Sequence, residues 1–175
     1  KNCDPSQTYS PTCNRSDVLA LILHSLSDSD FTWQSVDIAT AFLQSKKRTE
    51  GEGVKEQAGV YLAAGKIIQA NSQSERLPSI DHAWKVLSSI YGLKTAPRDW
   101  ADTLTEAMSL KGFKPCILDE SILISCQDEL GRHCVIACYV DDINIFGPRK
   151  MVQATMDFVC DKFDTSGVPI DIHDT

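Results

Sequence analysis

The chain has 175 residues, 42% of them apolar and 23% charged, with a net charge of −7. This describes one ordered globular domain with a core of its own and excludes wholesale disorder. The longest near-continuous apolar run, Cys134 to Val140, is far too short to span a bilayer, so no membrane role is expected.

In chain order, the opening KNCDPSQTYS has neither a Met nor the apolar stretch of a signal peptide, so the chain reads as cut from something longer. From Ser16, taken as an N-cap, Val18, Leu19, Leu21, Ile22, Leu23 and Leu26 predict a well-buried helix. Thr32 to Ile38 alternates as a strand, with Trp33, Ser35 and Asp37 on one face. Residues 45–58 and 65–81 read as loops around a short strand, Val60 to Ala63. Trp84 to Tyr91 fits strand and helix equally. Pro97 opens a helix through Trp100, Ala101, Leu104, Ala107 and Met108, and Gly112 stops it. Ser121 to Cys126 and His133 to Tyr139 are strands around a turn, and Ile143 to Phe146 is a further apolar run. Met151 to Phe163 is an amphipathic helix, and the tail DTSGVPIDIHDT carries only weak signals.

The charge is uneven: residues 1–44 are net −3, 45–118 net +3 and 119–175 net −7. That is not a simple nucleic-acid-binding patch, and a solvated acidic surface accounts for most of it. The seven cysteines include no CxxC pair, so reduced thiols of an intracellular protein fit better than disulfides or a zinc site.

Asp141-Asp142 interrupts an apolar stretch and predicts a tight hairpin turn presenting two carboxylates. A plain turn and a metal site are equally open on this feature alone. Asp37 also ends an apolar strand, and its bland reading is a helix N-cap for TAFLQS. If the two strands are neighbours, three carboxylates converge, as Mg²⁺ prefers.

Tyr139-Val140-Asp141-Asp142 resembles the YxDD box of reverse transcriptases, and VDIATAFL at 36–43 resembles their first catalytic motif. Ile90 to Trp100, IYGLKTAPRDW, is similar to the version found in copia-type LTR retrotransposons. Tyr9-Ser10-Pro11 with Arg15 resembles the same family's upstream segment, and the motifs fall in the family's order from about Thr8 to Gly167. The resemblance implies an α+β fold: a polymerase palm-like antiparallel sheet with helices packed on one face, plus partial fingers. It implies one fingers–palm domain over 1–175, with thumb and RNase H portions absent.

By the same resemblance Asp37, Asp141 and Asp142 are the catalytic carboxylates. With the backbone carbonyl of Ile38 they hold two Mg²⁺ ions, for which Mn²⁺ is a substitute. Phe42 is the aromatic residue beneath the sugar, Ala41 lies beside the triphosphate, and Lys94, Thr95 and Arg98 line the nucleotide side of the cleft. Tyr139 and Val140 complete the box. The implied partners are an RNA or DNA template-primer, dNTPs and the remainder of the Pol polyprotein. The implied location is cytoplasmic, including virus-like particles. The chain departs from the family in having Ala39 in place of a common Lys and Thr95 in place of a common Gln. Those changes, with the acidic charge, leave an alternative: an inactive or repurposed palm remnant that acts as a binding or structural module.

Overall fold

In the computed structural model the described residues are 8–46, 61–63 and 83–171. Most of the expected loop at 45–58, all of that at 65–81 and Val60 lie outside them. The architecture is a mixed α/β one, built on a six-stranded antiparallel sheet.

Helix α1 spans Arg15–Leu26. Its cap is Asn14 rather than Ser16: the Asn14 side-chain oxygen accepts from the Ser16 N–H at 3.2 Å. An Asn there reaches an N–H of the first turn that has no partner inside the helix. The expectation of a well-buried helix is also corrected. Val18, Leu21 and Ile22 pack against the sheet, but Leu19, Leu23 and Leu26 are exposed. An all-round apolar helix pattern normally reports burial on every side; here only one side is covered.

Strand β1, Phe31–Ile38, alternates half-buried and buried residues along its whole length, as expected. A short 3-10 helix, Ala41–Gln44, follows. Its cap position is Thr40, in the left-handed region at φ 50°, so Asp37 is not an N-cap. Strands β2 (Tyr61–Ala63) and β3 (Ala83–Lys85) pair as a separate two-stranded sheet. The ambiguous stretch after Trp84 is therefore a strand only to Lys85 and irregular beyond it.

Helix α2 runs Ala96–Ser109 with Pro97 in its first turn. Strands β4 (Lys114–Pro115), β5 (Ile122–Ile124), β6 (Val135–Tyr139) and β7 (Asp142–Pro148) lead to helix α3, Arg149–Lys162. The weakly patterned tail forms strand β8, Thr165–Asp171, beside β1 at the sheet edge. Its register shifts between Ser35 and Asp37, so Gly167 to Pro169 fall in a bulge. An edge bulge is where a strand tolerates Pro.

The strand order is β4-β5-β6-β7-β1-β8, with β1 between β7 and β8. One face carries Val36, Ile38, Ile136, Ile143 and Ile145 against Trp100, Leu104 and Met108 of α2 and Val152, Met156 and Val159 of α3. Each such side chain contributes about 1.5–3 kcal/mol when fully buried. The other face packs Phe146, Ala137 and Trp33 against α1. The two later helices share one face as expected; the sheet is nevertheless covered on both sides, because α1 takes the opposite one. Cys134 is buried in the main core, and burial pushes its thiol up to about 11, so it packs as a neutral apolar group.

Gly147 marks a close backbone approach in the sheet. Its φ is +143°, and a Cβ there would stand 2.8 Å from the His133 carbonyl oxygen and 3.0 Å from the Cys134 Cα. Both obstacles are backbone or backbone-bound, so neither yields cheaply. We expect Gly147→Ala to destabilise the chain by at least about 2 kcal/mol in urea unfolding. A cost within about 0.5 kcal/mol of zero, the scale of an ordinary surface change, would show that β6 and β7 separate freely at this point.

Candidate active site: carboxylates at the end of the sheet

The sheet places the carboxylates by register alone. Asp37 stands directly opposite Asp142 in the β1–β7 pair, and Tyr139 opposite Asp142 in the β6–β7 pair. Directly opposed residues have Cβ atoms about 4.5–5.5 Å apart. Val140 and Asp141 are then the two residues of the hairpin turn, one residue earlier than the expected Asp141-Asp142, and Asp142 is already paired in β7. Asp37 and Asp141 are half-buried, and Asp142 and Tyr139 are exposed. All three acids therefore gather at one end of the sheet.

The turn is strained and held. Val140 has φ 57°, a conformation that costs a non-glycine residue about 1–2 kcal/mol. Its carbonyl oxygen accepts a 2.6 Å bond from the indole N–H of Trp100, which is buried in α2. The Asp141 carbonyl accepts from the Ile38 N–H at 2.9 Å, which ties the turn to β1 just after Asp37. Trp100 also meets the Phe163 ring edge-on at 5.1 Å. Motif reading placed Trp100 on the helix but gave it no part in the site. The available signal was chemical: a buried indole N–H needs an acceptor.

A second clamp fixes the chain after Asp37. The Gln44 amide group donates to the carbonyls of Ala39 and Asp164, at 2.5 and 2.9 Å, and its oxygen accepts from the Asp164 N–H at 2.8 Å. The Ala39 N–H donates to the Asp164 carbonyl as well. Nothing in the local pattern singled out Gln44, because its partners are distant in sequence.

The electrostatics match crowded acids. Partial desolvation of an otherwise exposed carboxyl, and then the charges of Asp141 and Asp37, push Asp142 above its ordinary value. The donors are hard oxygens, the chemistry that suits Mg²⁺. The cage is not closed, however. Among the described residues no group of three His, Cys, Asp or Glu side chains stands close enough to hold a metal ion. The neighbouring strands do bring the three carboxylates to one end of the sheet, without forming such a group.

The other expected site residues are dispersed around this end. Ile38 is buried, and its N–H is engaged by Asp141. Ala41 is buried in the core, so its methyl group faces no cleft. Phe42 is half-buried, packs on the edge of the core and leans on the Tyr91 ring. Lys94 is exposed, Thr95 is the cap residue of α2, and Arg98 lies in the first turn of that helix. The Arg98 guanidinium meets Asp102 at 2.9 Å and Glu120 at 3.9 Å, so a phosphate would compete with two carboxylates there. An open cleft of about 470 Å³, lined by Leu21, His24, Phe31, His133 and Gly147 among others, lies at the opposite end of the β1–β7 pair.

Comparison with known proteins decides the family. The family model described as reverse transcriptase (RNA-dependent DNA polymerase) matches residues 1–169. The chain belongs to the reverse transcriptase family. It is 26% identical over 162 residues to the retrovirus-related Pol polyprotein from transposon RE2 of Arabidopsis thaliana, an alignment covering 91% of this chain. It spans only 10% of that relative's length. No solved structure matches. The copia-type resemblance of the motifs is borne out, and the family is that of RNA-dependent DNA polymerases.

In this reverse transcriptase domain the Trp100 bond is open to a direct test. Trp100→Phe keeps an aromatic ring and removes the donor, leaving the Val140 carbonyl without it. We expect a loss of about 2 kcal/mol in urea unfolding, the scale of a buried acceptor left unsatisfied. Trp33→Phe, at a half-buried indole bonded to Asn144, should cost less. Equal costs at the two positions would mean that the Trp100 bond does not hold the turn.

Proposed function

We propose that the chain is the fingers–palm core of a copia-type reverse transcriptase that extends a primer along an RNA or DNA template. The observation that supports this best is the pairing of Asp37 with Asp142 across two strands, with Asp141 in the adjoining turn. On this reading the six-stranded sheet is the palm, and the thumb, the RNase H portion and the rest of the Pol polyprotein are partners.

Asp37, Asp141 and Asp142, with the Ile38 carbonyl, are the groups that would hold two Mg²⁺ ions. When bound, Mg²⁺ supplies charge neutralisation for the phosphates and lowers the pKa of the attacking hydroxyl. The primer 3′ oxygen bonds to the α-phosphorus of the dNTP, the bond from that phosphorus to the β-phosphate oxygen breaks, pyrophosphate leaves, and the hydroxyl proton passes to water. The protein's share is placement more than covalent chemistry. Phe42 would sit beneath the sugar and disfavour a 2′-hydroxyl. Lys94, Thr95 and Arg98 would face the nucleotide, and Ala41 would contribute through its backbone, since its side chain is buried. The net charge of −7 opposes binding of a duplex, so affinity should be modest and best at low salt.

Single-nucleotide primer extension in Mg²⁺ at low salt tests the proposal. The chain should extend slowly, and Asp141→Asn should reduce the rate by about 10³-fold or more with the fold intact by circular dichroism. An Asn variant as active as the unsubstituted chain would remove Asp141 from the chemistry. No extension by either would favour the remnant reading instead.

A further inference from the structure

We infer that Tyr91 is a positioning residue for sugar selection, holding the Phe42 ring in place from the solvent side. This rests on the reading of Phe42 in the proposed function. The two ring centroids are 5.0 Å apart and the planes are tilted by 54°. The partners are unequal. Phe42 is half-buried and leans on the core, whereas Tyr91 is 59% exposed. A ring left that open buries too little to serve stability as its main role. Its contact with Phe42 instead limits where that ring can swing.

Tyr91 is presented by a built turn. The Leu93 N–H bonds to the Ile90 carbonyl at 3.2 Å, so Tyr91 and Gly92 are the central residues of a β-turn. Gly92 has φ +93°, the value a type II turn requires at its third position. Tyr91 thus occupies the second position and projects from a defined corner rather than from a loose loop.

The spacing between the two rings is also braced. The Ser45 hydroxyl donates to the Phe42 carbonyl at 2.8 Å. The Ser89 N–H donates to the Ser45 oxygen at 3.1 Å, and the Ser89 hydroxyl donates to the Asp99 carboxylate. Ser45 and Ser89 are buried. A buried, satisfied chain of hydroxyls is stable only in one geometry, because each broken link leaves a polar group unpaired. The chain runs from the backbone of Phe42, past the Tyr91 segment, to the first turn of α2. One polar path therefore sets the position of Phe42 relative to Tyr91.

The test is the ratio of ribonucleotide to deoxyribonucleotide kcat/KM in primer extension, for UTP against dUTP. Tyr91→Ala should raise the relative acceptance of UTP by about threefold to tenfold, the scale of one aromatic contact. Tyr91→Phe, which keeps the ring, should retain the original ratio. Adding Tyr91→Ala to Phe42→Ala should give no further rise, because the two act as a unit. A Tyr91→Ala chain that loses rate equally with both nucleotides, or a double variant whose effects add, would overturn the inference. If Phe42→Ala itself leaves the ratio unchanged, or the unsubstituted chain extends with neither nucleotide, the underlying reading of the site fails instead.

Discussion

The carboxylate end of this protein depends on a turn that a free chain would avoid. Val140 is β-branched and held at positive φ, in a hairpin position that favours glycine. Such strain persists only where the surroundings over-determine it. Here the surroundings are a buried indole on one side and the end of β1 on the other. Moving α2 away releases the Val140 carbonyl, and moving β1 releases that of Asp141. The two main packing partners of the sheet end are therefore also the supports of the acidic turn.

Register does the rest. A slip of one residue between β1 and β7 would turn Asp37 to the opposite face and expose Val36 and Ile38. Their place in the core opposite α2 and α3 therefore fixes the place of Asp37. The Gln44 clamp on Asp164 holds β1's continuation against the start of β8, so Asp37 is flanked by paired strand on both sides. Hydrophobic burial supplies the energy, and a few long-range polar contacts choose the arrangement that gathers the acids.

What was legible in the sequence was local. The alternation from Thr32 to Ile38, the helical spacing after Pro97 and the turn at Asp141 each follow from a period or a residue preference, and each is present. The motif order identified the family without any geometry. What escaped reading was pairing at a distance. Strand β8 was hidden because its Gly and Pro look like loop until the bulge beside β1 is known. The exposure of Leu19, Leu23 and Leu26 was hidden because sequence shows that a helix is apolar but not which sides are covered. In the site, the three acids were legible, whereas Trp100, Gln44 and the Ser45–Ser89–Asp99 chain were not, since their partners lie elsewhere in the sequence.

On the proposed reading, Asp37, Asp141 and Asp142 together make a weak divalent-cation site at one end of the sheet. Paramagnetic broadening of backbone amide signals by added Mn²⁺, read by NMR on the chain alone, tests it most directly. The amides of Ile38, Asp141 and Asp142 should broaden first, excess Mg²⁺ should restore them, and Asp37→Asn combined with Asp141→Asn should abolish the effect. Broadening centred on another acidic cluster, such as Asp28, Asp30 and Asp128, with these amides untouched, would contradict it.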